Sequence, residues 1–282
     1  MATTTLGKTI ATTLRDYGTL GKPRLSLLVA FSAAMGALTA PGHGAAAFWA
    51  VVFGGLLVTF SANAVNQMLE SPYDALMKRT ASRPLPGGRL SDEEALGFAA
   101  ATGLTGLMLM LWYAKPTAAF FSMLSFMLYV WAYTPLKRAS PVAVGVGAIP
   151  GALPPLIGRV AVGELDSAAW TLFLIQFFWQ LPHFWAISKL GEEDYYKAGF
   201  RLRPAGGAGL HAFVSAVPLL GAGFLALHVG LTQTPLPLTV LGIIYTIFAL
   251  QFWRKSDRKS ALTLMFASFF YLPLALAFIY WF

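Results

Sequence analysis

Apolar residues in this chain gather into nine stretches, roughly 25–41, 46–68, 95–113, 117–134, 141–158, 168–189, 210–230, 235–253 and 261–281. A helix needs about 20 such residues to cross the hydrocarbon core of a bilayer, and each stretch comes close. The chain therefore reads as an all-α integral membrane protein with about nine transmembrane helices. Only 11% of its 282 residues are charged, against about a quarter in a soluble domain. No linker breaks the hydrophobic pattern, so residues 1–282 read as a single domain.

The basic residues choose an orientation. With the N-terminus in the cytoplasm and nine crossings, the inside segments hold Lys8, Arg15, Lys22 and Arg24; Lys78, Arg79, Arg83 and Arg89; Lys137 and Arg138; Lys189, Lys197, Arg201 and Arg203; and Arg254, Lys255, Arg258 and Lys259. These are 18 of the 20 Lys and Arg residues, and only Lys115 and Arg159 fall outside. Positive charge is retained on the cytoplasmic side of membrane proteins, so the C-terminus is expected outside. The same bias accounts for the formal charge of +8 without nucleic acid. There is no cysteine, which removes disulfides, thiolate metal sites and cysteine nucleophiles. Residues 1–23 are polar and Thr-rich and lack the apolar core and cleavage site of a secretory signal. A bacterial inner-membrane protein, inserted by its own first helix, is the expectation.

Two inside loops are long, 69–94 and 190–209, and functional residues concentrate on such loops. Asn66, Glu70 and Asp74 are spaced by four, with Asn63 three residues earlier, so on a helix they share one narrow face. Pro72 is expected to kink or end that helix just past Glu70. Carboxylates at the end of a membrane helix need a cavity, a partner or a metal. Oxygen ligands of this kind suit Mg²⁺, which completes its shell with water and substrate phosphates. Arg79 and Arg83 follow, and guanidinium groups grip phosphate oxygens two at a time. Acid for a metal beside Arg for an anion reads as a diphosphate site. A solvated, salt-bridged loop would use the same residue types.

A second cluster lies at the inner end of the sixth stretch: Trp179-Gln180-Leu181-Pro182-His183-Phe184, then Glu192-Glu193-Asp194-Tyr195 and Lys197-Ala198-Gly199. Both clusters fall at the same membrane depth, where acids on two sides could hold Mg²⁺ against one diphosphate. His183 lies about 9 Å deeper, at about 1.5 Å per residue. An intramembrane His is a functional candidate, with hydrogen-bonded helix packing as its other reading. His43 and His228 fall near the outer face, and His211 at the start of a span. Tyr133-Thr134-Pro135-Leu136-Lys137-Arg138 also ends on the inner face. In the fifth stretch Gly145, Gly147, Gly151 and Gly158 with Pro150, Pro154 and Pro155 point to a close-packed or broken helix.

Taken together these segments resemble the UbiA prenyltransferase superfamily. Asn66-x₃-Glu70-x₃-Asp74 with Met77-Lys78-Arg79-Thr80 and Arg83-Pro84-Leu85-Pro86 looks like its first signature. Lys22-Pro23-Arg24, Tyr133-Thr134 with Leu136-Lys137-Arg138, Gly151-Ala152 with Pro154-Pro155-Leu156, Trp179 to Phe184, and Glu193-Asp194-Tyr195 with Ala198-Gly199 are similar to its haem-farnesylating branch. The superfamily usually carries two Asp in the second cluster, at positions that are Gly191 and Tyr195 here. The run Phe200-Arg201-Leu202-Arg203-Pro204 stands where the branch usually has Pro-Met-Leu-Pro.

The resemblance implies helices around a central cavity, and a reaction of haem b, farnesyl diphosphate and water giving haem O and diphosphate with Mg²⁺ as cofactor. It assigns Asn66, Glu70, Asp74, Glu193 and Asp194 to metal and catalysis, and Arg79, Arg83, Lys137 and Lys197 to phosphate oxygens. His183 goes to the haem iron or a propionate, and a haem A synthase or terminal oxidase would receive the product. A UbiA-type enzyme acting on a quinone precursor is the same-class rival, disfavoured by the missing Asp pair. A transporter would place polar groups near the bilayer centre and show repeats, and an assembly factor has no need of acids spaced by four beside Arg.

Overall fold

A computed structural model describes residues 10–42 and 44–282. Lys8, counted above with the inside basic residues, and His43 lie outside the described residues. The described residues contain helices and no strand: α1 (Ile10–Gly21), α2 (Pro23–Leu38), α3 (Ala45–Asp74), α4 (Asp92–Tyr113), α5 (Pro116–Leu136), α6 (Ala143–Val162), α7 (Ser167–Leu190), the short α8 (Glu192–Lys197), α9 (Ala208–His228), α10 (Leu236–Lys255) and α11 (Arg258–Trp281). Each of the nine apolar stretches falls on one of these helices. Seven of them, α3 to α6 and α9 to α11, are long and apolar enough to cross a membrane, and the chain is a multi-pass membrane protein. Of the other two, α2 has only 16 residues, and α7 carries Gln176, Gln180, Pro182 and His183 through its apolar run.

Local chemistry sets the helix ends. Ser91 and Glu94 form a reciprocal capping box at the start of α4, and the Asp166 and Asp257 carboxylates accept backbone N–H groups at the starts of α7 and α11. The helix α1 escaped a hydropathy reading because it is too short and polar to span. It docks on α3, where Gln67 Nε2 donates to the carbonyls of Thr19 and Leu20 at 3.1 and 2.8 Å. An Asp16–Arg89 ion pair at 3.0 Å adds a second tie.

The centre of the bundle is α6, enclosed along most of its length. It packs on α2 through glycines: a methyl group on Gly158 would run into the carbonyl of Ala33, and one on Gly36 into that of Pro155. The helix is continuous despite its prolines. Pro154 and Pro155 remove the N–H groups that would bond the carbonyls of Pro150 and Gly151, four residues earlier. Neighbouring helices supply substitutes: Ser125 Oγ donates to the Pro150 carbonyl at 3.1 Å, and Gln176 Nε2 to that of Gly151 at 2.7 Å. Of the two readings the sequence left open for this segment, the structure takes the close-packed one.

The two ends of the bundle differ in charge. At one end sit the C-termini of α3, α5, α7 and α10 with most of the basic residues. At the other, the two exceptions to the basic bias are both neutralised locally. Lys115 pairs with Glu164 at 2.6 Å, and Arg159 pairs with Asp166 at 2.7 Å while also donating to the Thr39 carbonyl.

Candidate active site

At the basic end α3 runs through Pro72 without a break and ends at Asp74. Pro72 falls in the last turn, where its missing N–H costs the helix one bond, and Asp74 stays in register with Asn66 and Glu70. All three are buried, at 1%, 7% and 1% exposure for Asn66, Glu70 and Asp74. Asp74 pairs with Arg83 at 2.5 Å, and Glu70 pairs with Lys137. Asn66 Oδ1 accepts from Lys22 Nζ at 3.1 Å, and its Nδ2 donates to Thr134 Oγ1 at 3.1 Å. Asn63 does not reach this group. It holds the α1–α2 turn through the Gly21 carbonyl and Ser26.

Two backbone departures aim the partners. The six residues of α5 before Thr134, Leu128–Tyr133, are a π-helix, a form that concentrates at functional sites. It lets Thr134 Oγ1 bond back to the Tyr129 carbonyl at 2.8 Å while Tyr129 Oη approaches Asn66 Oδ1 at 3.5 Å. Lys22 sits in the turn between α1 and α2 with φ of 50°, a left-handed conformation that a side chain makes costly. From this turn its ammonium reaches Asn66. Burial first, then the charges of Arg83 and Lys137, lower Lys22 to about 7, against the opposing pull of Glu70 and Asp74. Cations outweigh anions here, as suits a site for a polyanion.

The residues also suit a metal ion. Glu70 Oε1 is buried with no hydrogen bond of ordinary geometry, facing only the Lys137 ammonium. Two buried carboxylates beside an amide oxygen form the all-oxygen set that Mg²⁺ takes. Among the described residues no three His, Asp or Glu side chains gather closely enough to hold a metal by themselves. An ion here would draw its further ligands from water and phosphate.

The second cluster reaches the same end by a different route. Glu193 is exposed and Asp194 half-buried on α8. Together with Lys197, Lys189, Arg258 and Lys78 they line a cleft of about 460 Å³. Lys78 comes from the loop just after Asp74, so the two clusters border one another without their carboxylates meeting. Arg79 is exposed on that same loop. Glu192, the first of the three acids, bonds Lys189 at 2.8 Å, and that bond holds its carboxyl below the usual range. Between the clusters stands an aromatic wall. Tyr195 packs edge-on against Phe200, which in turn faces Tyr73 and the Lys137 ammonium. A side chain at Gly191 would strike the Tyr195 ring at 2.8 Å. The positions where the superfamily usually has its Asp pair are thus occupied by a ring and the space the ring needs.

His183 lies deeper in α7, away from both clusters. Its Nδ1 is 2.7 Å from Ser268 Oγ on α11, and its ring stacks on Trp179 and meets Phe269. Sequence reasoning did not single out Lys22, Tyr129 or Thr134 as site residues, nor Ser268. Lys22-Pro23-Arg24 and Tyr133-Thr134 lie far apart in the sequence, and only the fold brings Lys22 and Thr134 together on Asn66.

The model of the UbiA prenyltransferase family matches residues 26–273, and this bundle of membrane helices, with buried carboxylates and cations gathered at one end, belongs to that family. Curated relatives narrow the comparison. The protoheme IX farnesyltransferase of Cytophaga hutchinsonii is 40% identical over 275 residues, covering 94% of this chain and 96% of its own length. That of Christiangramia forsetii is 37% identical, covering 97% and 95%. Among solved structures, a digeranylgeranylglyceryl phosphate synthase superposes with a TM-score of 0.79 at 16% identity over 95% of this chain and 97% of its own. A UbiA homologue from Archaeoglobus fulgidus, bound to GPP and Mg²⁺, gives 0.62 at 16% identity, over 94% and 99%. These two share the fold.

Proposed function

We propose that this chain transfers the farnesyl group of farnesyl diphosphate to the 2-vinyl group of haem b, with addition of water, to give haem O and diphosphate. The observation that carries the reading is the buried Asn66–Glu70–Asp74 face with its cations Arg83, Lys137 and Lys22, in a chain 40% identical to a protoheme IX farnesyltransferase. Farnesyl diphosphate and haem b are the substrates, and Mg²⁺ is the cofactor. Residues 1–282 act as one domain with nine crossings, the N-terminus and the basic end in the cytoplasm and the C-terminus outside.

Without substrate, Arg83 and Lys137 neutralise Asp74 and Glu70. Diphosphate oxygens would take over Arg83 and Lys137, with Lys22, and Glu70, Asp74 and Asn66 are the residues that would then hold Mg²⁺. Glu193 and Asp194 on α8 would hold a second metal or its waters, and Arg79 and Lys197 would grip phosphate oxygens. When bound, Mg²⁺ neutralises charge that develops on the departing diphosphate. The allylic C–O bond breaks with its electron pair leaving on the diphosphate, and Arg83, Lys137 and Lys22 stabilise that charge. The farnesyl carbocation would be quenched by early water, and the Tyr195–Phe200–Tyr73 wall keeps the reacting end dry. The vinyl group supplies the electron pair for the new C–C bond, and the cation left beside the porphyrin takes up water and loses a proton. His183 holds the haem.

The test is the purified protein in detergent with haem b, farnesyl diphosphate and Mg²⁺, read by mass spectrometry for haem bearing a hydroxyethylfarnesyl group. Product that needs Mg²⁺, falling about 100-fold or more in Glu70→Gln, is expected, since electrostatic groups at a reacting centre are typically worth about 100-fold or more. Prenylation of a phenolic acceptor in place of haem would move the chain to the quinone-type members.

A further inference from the structure

Among the cations of the diphosphate site in the described residues, Lys137 alone lies against aromatic rings. Its ammonium stands 4.6 Å from the centre of the Tyr133 ring and 5.6 Å from that of Phe200, both within the roughly 6 Å over which a ring face attracts a cation. Neither ring is free to turn away. Tyr133 seats on α6 at Gly147, where a methyl group would strike the ring at 2.5 Å, and it packs on Tyr129 at 5.4 Å between ring centres. Phe200 is buried and wedged between Tyr195 and Tyr73, each at 6.0 Å.

The loop that carries Phe200 is fastened to the same lysine. The Phe200 N–H donates to the Tyr195 carbonyl at 2.9 Å, and the Arg201 N–H donates to the Lys137 carbonyl at 2.8 Å. Ser188 Oγ holds the Leu202 carbonyl at 3.1 Å. Residues 200 and 201 therefore grip Lys137 by its side chain and by its main chain at once. A lysine already paired with a buried carboxylate has no need of this second hold. The carboxylate, however, is the one offered to the metal, and once Glu70 no longer pairs with Lys137 only the rings keep the ammonium in place. Lysine is a compact charge on a flexible four-carbon stem, and fixing such a side chain at the moment of binding costs between about three- and tenfold in affinity.

We propose that Phe200 is a positioning residue which, with Tyr133, forms an aromatic clamp that keeps the Lys137 ammonium over the diphosphate when its pair with Glu70 is given up. The inference rests on the reading of this end of the bundle as a diphosphate site. It gives Phe200 a task beyond excluding water, and it ties the loop after α8 to the first cluster through Lys137.

The experiment measures the Kd of farnesyl diphosphate with Mg²⁺ by calorimetry on the full-length protein in detergent. The proteins are wild type, Phe200→Leu, Lys137→Met, the double variant, and one with 3,4,5-trifluorophenylalanine in place of Phe200. The last keeps a ring of nearly the same size and withdraws electrons from its face. Thermal unfolding checks that each is folded, and farnesylation of haem b is assayed on the wild-type sample. Phe200→Leu and the trifluoro protein are each expected to weaken binding between about three- and tenfold, and Phe200→Leu should add nothing once Lys137 is Met. If Lys137→Met does not fold, the trifluoro protein decides alone. Wild-type affinity in the trifluoro protein would mean that the ring acts by shape, and equal losses from Phe200→Leu with and without Lys137 would mean that it acts apart from the lysine; either overturns the clamp. So does a Lys137→Met protein that binds as tightly as wild type. If wild type binds farnesyl diphosphate with the expected coupling yet makes no farnesylated haem, the functional reading fails and the clamp stands.

Discussion

At the scale of single residues, the site is built from charges that would be ruinous unpaired. Lys137 and Glu70 are both nearly enclosed, at 12% and 9% side-chain exposure. Removing one partner of a buried pair leaves the other uncompensated and costs about 3–5 kcal/mol, whereas replacing both by apolar groups of like size is often neutral. Lys137→Met should therefore lower the unfolding temperature in detergent clearly, and Lys137→Met with Glu70→Leu should recover most of the loss. Neither variant should make product. A double variant as unstable as the single one would show that packing, and not charge, sets the cost. Asn66, Glu70 and Asp74 were legible in the sequence because a spacing of four shares one face of any helix, and Arg83 because it follows them closely in the chain. Lys22, Tyr129, Thr134 and Ser268 were not. They come from the α1–α2 turn, α5 and α11, and only folding decides that three of them meet Asn66 and the fourth meets His183.

At the scale of helices, hydropathy located all nine long segments because lipid demands long apolar runs, but it was silent on what each segment does internally. The π-helix in α5 brings Tyr129 and Thr134 to Asn66 and leaves no mark on a hydropathy pattern. α1 is amphipathic and lies outside the spans, so the same pattern passed over it. The prolines of α6 suggested a broken helix as readily as a packed one, because the side chains that complete its backbone lie 25 residues away in either direction. Gln176→Leu would strip the Gly151 carbonyl of its substitute donor, and an unsatisfied buried group costs about 1–3 kcal/mol. A measurable drop in thermal stability with the diphosphate cluster unaltered is expected. Unchanged stability would mean that the α6 carbonyl finds another donor.

At the scale of the molecule, sequence charge and structure agree on an asymmetric bundle. The two basic residues at the poorer end are each cancelled by an acid of the α6–α7 turn, so the bias between ends is steeper in net charge than in the count of Lys and Arg. The absence of cysteine makes sidedness simple to measure in intact cells. A single Cys at Lys197 or Lys259 should react only with a membrane-permeant reagent, and one at Glu164 or Thr234 also with an impermeant one. Labelling in the reverse sense would invert the proposed orientation. The fastening of α6 has a further bearing on biosynthesis. The donor for the Pro150 carbonyl is made before α6, but the donor for the Gly151 carbonyl belongs to the helix that follows it. At the moment α6 leaves the ribosome its Gly151 carbonyl still lacks that donor, and lipid offers none. The two helices should therefore leave the insertion machinery as a hairpin. A nascent chain ending after Val162 should stay engaged there, and one ending after Leu190 should partition into the bilayer.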